Sequence, residues 1–479
     1  MSYYTAMPVV AIIGGGFSGA AVALHLIENG RAGKPARVVV FEPRDILGAG
    51  LAYDTHEPAH RINVPAARMS LYPDDPGSFQ RWIDDTHVLA DDPEAIMTAE
   101  QAFPRRQAFG TYVHDTLAPY IADGRIEHRQ ATVVGLARSG ATWRLSGSDG
   151  RDLVADIVVL AVSHPAPALP SQLKPLAGHP RLVADPTARD ALDVIRADDR
   201  VLIVGNGLTS ADVVAALTQR GHQGPILSVS RRGLRSRGHS AIAHEPAGDF
   251  LSPPSRTASQ LLQCIRIELR AARRLGLGWQ PVLDAVRAQG QQIWKALPVV
   301  ERQRIARHIR PFWDAHRFRV APQVEAVLDG AIEAGRLEIL AASLSFSART
   351  GDEIGIGLKL RRRNVFREVT VDAVVVTTGP SHGGILRSQP FLSALQNEGL
   401  LAACATGLGI ACDDQSRALD ASGNIVPALY IAGPLARGTF GELMGLPQVT
   451  EHAVFVAGQV GDALERSAST GRVKARTAG

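Results

Sequence analysis

Cysteine is scarce in this chain, with three residues, Cys264, Cys404 and Cys412, among 479. No two form a CxxC pair, which argues against a redox-active disulfide flavoenzyme and suits a reducing, cytoplasmic setting. Excess charge is also scarce. The formal net charge is only +4, so the pI near 9.1 implies no strong attraction to nucleic acid or to an anionic membrane. Apolar runs are short, none approaching the roughly 18 residues of a membrane span. The first of them follows no basic n-region and enters a glycine turn, which reads as a strand and not as a signal peptide. There is no low-complexity tract. With 45% hydrophobic and 20% charged residues, the composition is that of a soluble globular protein long enough for two or three domains.

What the chain does have is two glycine turns, each set between a strand and a helix. The first, Gly14-Gly15-Gly16-Phe17-Ser18-Gly19, follows the apolar run Val9-Val10-Ala11-Ile12-Ile13. An apolar helix follows, with a stop signal at Asn29-Gly30, and then a second strand, Arg37 to Phe41, ending in Glu42. An acid there is placed to accept from ribose hydroxyls. Glu42 lies 28 positions after Gly14, longer than the usual spacing of about 20, and the loop Arg31 to Pro35 absorbs the difference. The second turn, Gly205-Asn206-Gly207-Leu208-Thr209-Ser210, follows Val201-Leu202-Ile203-Val204, with Ser210 in place of the third glycine. Its next strand, Pro225 to Val229, ends in Ser230-Arg231-Arg232, and arginines at that place suit a 2′-phosphate. The bland alternative is a solvated basic loop of Arg231, Arg232, Arg235 and Arg237. No aromatics interleave with these arginines, which disfavours nucleic acid. Helix N-termini at glycine turns hold pyrophosphates, so two turns imply two dinucleotides, FAD and NADPH, with electron transfer between them.

A further set of motifs resembles a known family. Gly48-Ala49-Gly50-Leu51-Ala52-Tyr53, His60-Arg61-Ile62-Asn63-Val64-Pro65, Arg68-Met69-Ser70, Asp74-Asp75-Pro76, Phe79 and Trp82 follow Glu42. Trp313-Asp314-Ala315-His316-Arg317-Phe318-Arg319 and a tail of Leu429 to Pro434, Arg437-Gly438-Thr439, Glu442 and Pro447 complete it. Together these resemble bacterial FAD/NAD(P)-binding proteins related to the class B flavin monooxygenases, including the N-hydroxylating branch. The resemblance implies FAD contacts at His60, Asn63, Met69, Gly433 and Pro434, beside those of Gly14, Gly16, Phe17, Ser18, Gly19 and Glu42. Asn63, Met69 and His164 are the flavin-proximal candidates for a catalytic part, with His164 read mainly as a hinge residue. The strand Asp372 to Gly379 is similar to the motif at which such chains return to the FAD domain. In the related strand Asp156 to His164, Ser163 departs from the usual glycine. The linker fingerprint FxGxxxHxxxW of sulfur-oxidising and Baeyer–Villiger enzymes is not matched by Leu176-Ala177-Gly178-His179-Pro180-Arg181-Leu182, which shifts weight toward N-hydroxylation or another reaction.

The fold expected is α/β, with two Rossmann-like dinucleotide-binding domains, the NADPH domain inserted in the FAD domain, plus a helical segment. The boundaries expected are 1–197 and 336–479 for the FAD domain and 198–335 for the NADPH domain. The helical segment, 257–334, shows apolar spacing at Leu261, Leu262, Ile265 and Leu269 and is read mainly as a packed cap on the NADPH domain, the alternative being a lid or substrate-side wall. Asp249 to Arg256 reads as a linker. Gly379-Pro380-Ser381-His382-Gly383 matches GxSxG, but the glycines and Pro390 after it make a poor helix for a nucleophile elbow. His239, His244 and Glu245 lack metal-ligand spacing, so no metal is expected. The resemblance implies a monooxygenase in which FAD reduced by NADPH reacts with molecular oxygen and, as a C4a-hydroperoxide, oxygenates a small amine or amino acid-like substrate. The rivals are an NADPH oxidase or dehydrogenase and a non-enzymatic FAD-binding regulatory protein. No nucleic-acid or membrane partner is expected, and the oligomeric state is open.

Overall fold

A computed structural model describes residues 7–28, 36–98, 101–240, 242, 244–351, 353–361, 365–379 and 382–477. The expected helix stop at Asn29-Gly30, the loop Arg31 to Pro35, and Pro380-Ser381 of the hydrolase-like pattern lie outside the described residues.

Two mainly parallel sheets organise the chain. The first has six strands in the order Arg417–Leu419, Ile425–Ile431, Ile157–Leu160, Val9–Ile13, Arg37–Phe41, Ile126–Arg129. The second has seven, in the order Leu182–Val183, Ala373–Val376, Val201–Val204, Ile226–Ser230, Leu337–Thr350, Glu353–Leu360, Phe366–Val371. The central strands of both are apolar runs buried on both faces, as parallel sheets covered by helices require. The glycine turns occupy equivalent places. Val9–Ile13 leads through its turn to the helix Phe17–Glu28 and pairs with Arg37–Phe41. Val201–Val204 leads likewise to the helix Leu208–Gln219 and pairs with Ile226–Ser230.

Sheet membership divides the chain at other points than the expected domain boundaries. Leu182 and Val183 pair with Val374 and Val375, so the second sheet begins before residue 198. Strands from Leu337 to Val376 also lie in it, so the chain returns to the first sheet after 376, not at 336. The reason is register. Ala373–Val376 pairs in parallel with Val201–Val204, whereas Ile157–Leu160 takes the matching place beside Val9–Ile13. Two similar apolar runs flank two similar turns, and the residue types of either run fit either sheet.

The helical segment has its own core of Phe250, Leu261, Val282, Val286, Ile293 and Leu297, with Trp313 against it. Its first helix, Ala258–Arg274, starts at a capping box of Thr257 and Gln260. Phe250, in the expected linker, is part of that core. The last helix of the segment, Pro322–Glu333, instead packs on Leu208–Gln219 and covers the second sheet.

The C-terminal helix, Gln448–Thr477, packs along Phe17–Glu28 and carries the buried His452. His452 Nδ1 accepts from the Gly433 N–H at 3.1 Å, which leaves Nε2 to donate to Ser416 Oγ at 2.9 Å. Burial pushes its pKa down to about 3, so the folded protein holds it neutral. Because the unfolded chain takes this proton near pH 6.5, the contribution is complete above that pH and drains away toward pH 3. His164 and His239, both lowered to about 4, act in the same direction. The unfolding free energy is therefore expected to be level near pH 7 to 8 and to fall below about pH 6.5. His452→Gln should reduce the steepness of the fall, by up to about 1.4 kcal/mol per pH unit. Denaturant melts across pH 4.5 to 8 check this, and an unchanged slope in the variant would contradict it.

Candidate functional site

At the first turn, Gly14 has φ +102°, and a Cβ there would stand 2.5 Å from the Ala161 carbonyl oxygen. A Cβ on Gly19 would overlap the Gly14 carbonyl, and one on Gly16 would press on Gly50. The backbone therefore passes where a side chain cannot. Gly48 N–H donates to Gly15 O at 2.7 Å, which seats the Gly48 to Tyr53 stretch directly on the turn. Glu42 is buried, accepts from the Gly15 N–H at 3.0 Å and pairs with Arg44 at 3.0 Å. The acid at the strand end thus stands beside the turn, where the sequence expects it. Phe17 and Ser18 open the helix at the same place, and Gly433 (φ +61°) approaches Ser18 so closely that a Cβ would clash with its hydroxyl. Pro434 follows in the same 3₁₀ turn. Turn, acid and tail loop come together as a glycine-lined cradle suited to a dinucleotide.

The second turn repeats the arrangement. Gly205 has φ +127°, and a Cβ would clash with the Thr377 carbonyl. Gly207 is exposed and has open space where a Cβ would be, so the approach to the helix start at Leu208 and Thr209 is clear. Ser210, in place of a third glycine, is small enough to pack on the sheet, its hydroxyl 3.1 Å from Ser228 Oγ. At the end of the next strand, Ser230 Oγ accepts from Gly233 N–H at 3.0 Å and fixes the turn that carries Arg231 and Arg232. Two of the loop arginines have partners. Arg232 lies over the Phe312 ring at 4.7 Å, and Arg235 pairs with Asp329 at 2.6 Å. Arg231 and Arg237 are exposed.

The resemblance-based residues divide. Met69 is buried in the core beside the first turn's helix. The Asn63 carbonyl accepts from His239 Nε2 at 3.1 Å, which joins the His60 to Met69 stretch to the chain leaving the second sheet. His60 bonds to Thr55 at 2.8 Å, and its pKa is lowered by burial, against the pull of Asp212 on the second turn's helix. It therefore stands at the junction of the two turns' domains, where Arg106 also pairs with Asp212 at 2.9 Å. His164 is half-buried, and burial with Arg437 and Arg310 nearby lowers its pKa to about 4. His239 and His244 take separate partners, His244 lying 3.4 Å from Asp284.

Sequence reasoning did not name the tail loop as the docking partner of the helical segment. Trp294 Nε1 donates to Gly438 O at 3.0 Å, and Trp313 Nε1 to Glu442 at 3.3 Å. Arg317 pairs with Glu442 at 2.7 Å, both side chains buried, and Arg287 donates to Leu446 O and to Gln448 Oε1. Part of the segment is thus a wall of the first-sheet site and not only a cap on the second. The available signal was that Trp313, Arg317 and Glu442 belonged to the same set of matched motifs.

With this geometry in place, comparison with known proteins gives a family-profile match to part of the chain, and a fold. Residues 11–165 match the family profile described as FAD-NAD(P)-binding. A search among curated proteins by sequence finds no match. Among solved structures, the reduced form of ornithine hydroxylase from Pseudomonas aeruginosa superposes with a TM-score of 0.65 at 14% identity, covering 96% of this chain and 99% of that one. L-lysine 6-monooxygenase from Pseudomonas syringae gives 0.63 at 19% identity, with the same coverage. Ornithine N-hydroxylase from Kutzneria sp. 744, with reduced FAD, NADP⁺ and L-ornithine, gives 0.64 at 15% identity, also over 96% and 99%. The likeness runs through the whole α/β architecture.

The turns should be separable by mutation. Gly14→Ala is expected to yield protein without flavin, since its backbone is strained and its Cβ has no room. Gly205→Ala is expected to keep flavin but to lose at least about tenfold in NADPH affinity. Flavin absorbance and NADPH titration check the pair, and loss of flavin from Gly205→Ala alone would contradict the assignment.

Proposed function

We propose that this protein is an FAD-dependent, NADPH-using monooxygenase that oxygenates a small nucleophilic substrate, an amine or amino acid, through a C4a-hydroperoxyflavin. The observation that carries the reading is the pair of glycine turns, each backed by a neighbouring strand's carbonyl, in one chain with the architecture of amine hydroxylases. The first sheet, with Gly14, Gly16, Phe17, Ser18, Gly19, Glu42, Met69, Gly433 and Pro434, is the FAD domain. The second, from about 182 to 376 with Gly205, Gly207, Leu208, Thr209, Ser210, Ser230, Arg231 and Arg232, is the NADPH domain. FAD when bound supplies hydride acceptance and oxygen activation. The chain's own part is to hold and orient the two dinucleotides and to keep the site dry. Trp294 and Trp313 contribute to the last task, closing the helical segment on the tail loop. Three free cysteines agree with a cytoplasmic setting.

Arg232 is the cofactor-selecting residue in this reading. Its stacking on Phe312 holds the guanidinium plane before any ligand arrives. Arg232→Ala should raise the KM for NADPH about 10-fold or more, the loss of a charge-assisted hydrogen bond, and change that for NADH less than about twofold. Steady-state kinetics with both coenzymes decide, and equal losses would remove the phosphate role.

The test of the reaction is anaerobic reduction by NADPH followed by rapid mixing with oxygen. The reading expects full flavin reduction, then a persistent oxygenated-flavin spectrum that decays with hydroxylated product when the right amine is present. Direct return to oxidised flavin with hydrogen peroxide, whatever the substrate, would make the protein an oxidase. Absence of reduction would make it a binding protein.

A further inference from the structure

Where the helical segment meets the tail loop, five guanidiniums share three carboxylates. Asp284 takes Arg319 through two hydrogen bonds of 2.7 and 3.1 Å. Asp314 takes Arg310 at 3.1 Å, and Glu442 takes Arg317 at 2.7 Å. Arg287 and Arg437 remain. Arg287 is held by neutral acceptors only, the Leu446 carbonyl and the Gln448 side chain. Arg437 is 4% exposed and comes no nearer to a carboxylate than 4.0 Å from Asp314 Oδ1, and among the described residues neither its Nη1 nor that Oδ1 has a hydrogen-bond partner. Arg317 Nη2 is likewise without one. Burial and neighbouring positive charge push the Arg287 pKa down to about 9, and burial lowers that of Arg437. A buried positive charge at Arg437 and a half-buried one at Arg287, neither in close contact with a carboxylate, are costly, and a buried donor without an acceptor adds to the cost. Proteins retain such arrangements where a ligand completes them.

The place of these arginines says which ligand. Arg437 lies one helical turn beyond Gly433, next to His164 at the end of the strand that backs the Gly14 turn. Arg287 holds the start of the C-terminal helix, where Thr450 Oγ donates to the Ser70 carbonyl, adjacent to Met69. Both flank the Arg317–Glu442 pair. On the flavin-site reading this edge faces the substrate, because the nucleotide phosphates already have helix N-termini at the Gly14 and Gly205 turns. We propose that Arg437 and Arg287, with the free edge of Arg317, bind the acidic groups of the substrate, which is a small compound of net negative charge such as a dicarboxylate carrying the reacting amine. Guanidinium edges match carboxylates in shape as well as charge. This assignment rests on the flavin-site reading and narrows its substrate class away from cationic diamines.

The experiment titrates the FAD-loaded protein with malonate, succinate, glutarate and L-glutamate, against putrescine and against sodium chloride at equal ionic strength, following the flavin spectrum. A saturable change is expected with at least one of the acids and none with putrescine or chloride. In Arg437→Met that acid should bind at least tenfold more weakly at unchanged FAD content, with Arg437→Lys in between. If no acid binds the wild-type protein, or putrescine binds as well, the proposal is overturned, whether or not the variant folds. Loss of FAD from Arg437→Met, with unaltered acid binding in Arg437→Lys, would assign the charge to the cofactor's phosphates and overturn it too. Reduction by NADPH reports separately on the flavin reading. Reduction without acid binding removes only this subsite, and acid binding without reduction removes the monooxygenase.

Discussion

Everything in this protein hangs on a close approach of backbone to backbone that only glycine allows. At Gly14 the chain turns with positive φ against the Ala161 carbonyl, and at Gly205 it does so against the Thr377 carbonyl. Each approach fixes three things together: the start of a helix, the neighbour strand in the sheet, and an unobstructed row of helix N–H groups. The place of each turn in its sheet and the two open helix starts follow. A methyl group at either glycine would separate the helix start from the strand that backs it.

This explains what could be seen in the sequence and what could not. The two turns were legible because local chemistry dictates them: an apolar strand, glycines at fixed offsets, then a helix, with Glu42 or Arg231 and Arg232 at the next strand end. Strand assignment over long range was not. Ile157-Val158-Val159-Leu160 and Ala373-Val374-Val375-Val376 have almost the same character, and only pairing register assigns one to each sheet. The chain enters the second sheet at Leu182 and leaves it after Val376. Helical periodicity likewise disclosed the segment after Thr257 but not its docking partner. That depends on hydrogen bonds such as Trp294 to Gly438 and on the Arg317–Glu442 pair, between residues more than a hundred positions apart.

The helical segment ties the two halves of the molecule to one site. It issues from the second sheet, sends Pro322–Glu333 back to cover that sheet, and lays Arg287, Trp294, Trp313 and Arg317 on the tail loop of the first. From the other side, the Asn63 carbonyl accepts from His239, and Arg106 pairs with Asp212. The stretch His60 to Met69 is therefore held by groups from the second turn's domain. Such a frame fixes the two glycine turns relative to one another while gathering more positive than negative charge where the helical segment meets the tail loop. The unmatched charge is the feature least explained by packing and most readily explained by a ligand.

The central claim is that two separate dinucleotide sites of one plan serve one reaction centre. A crystal structure of the protein with FAD and NADP⁺ tests it most directly. The account predicts the FAD pyrophosphate on the Gly14 to Gly19 turn, the NADP⁺ pyrophosphate on the Gly205 to Ser210 turn, and the 2′-phosphate against Arg232. A single nucleotide bound under saturating amounts of both, or FAD on the Gly205 turn, would contradict it.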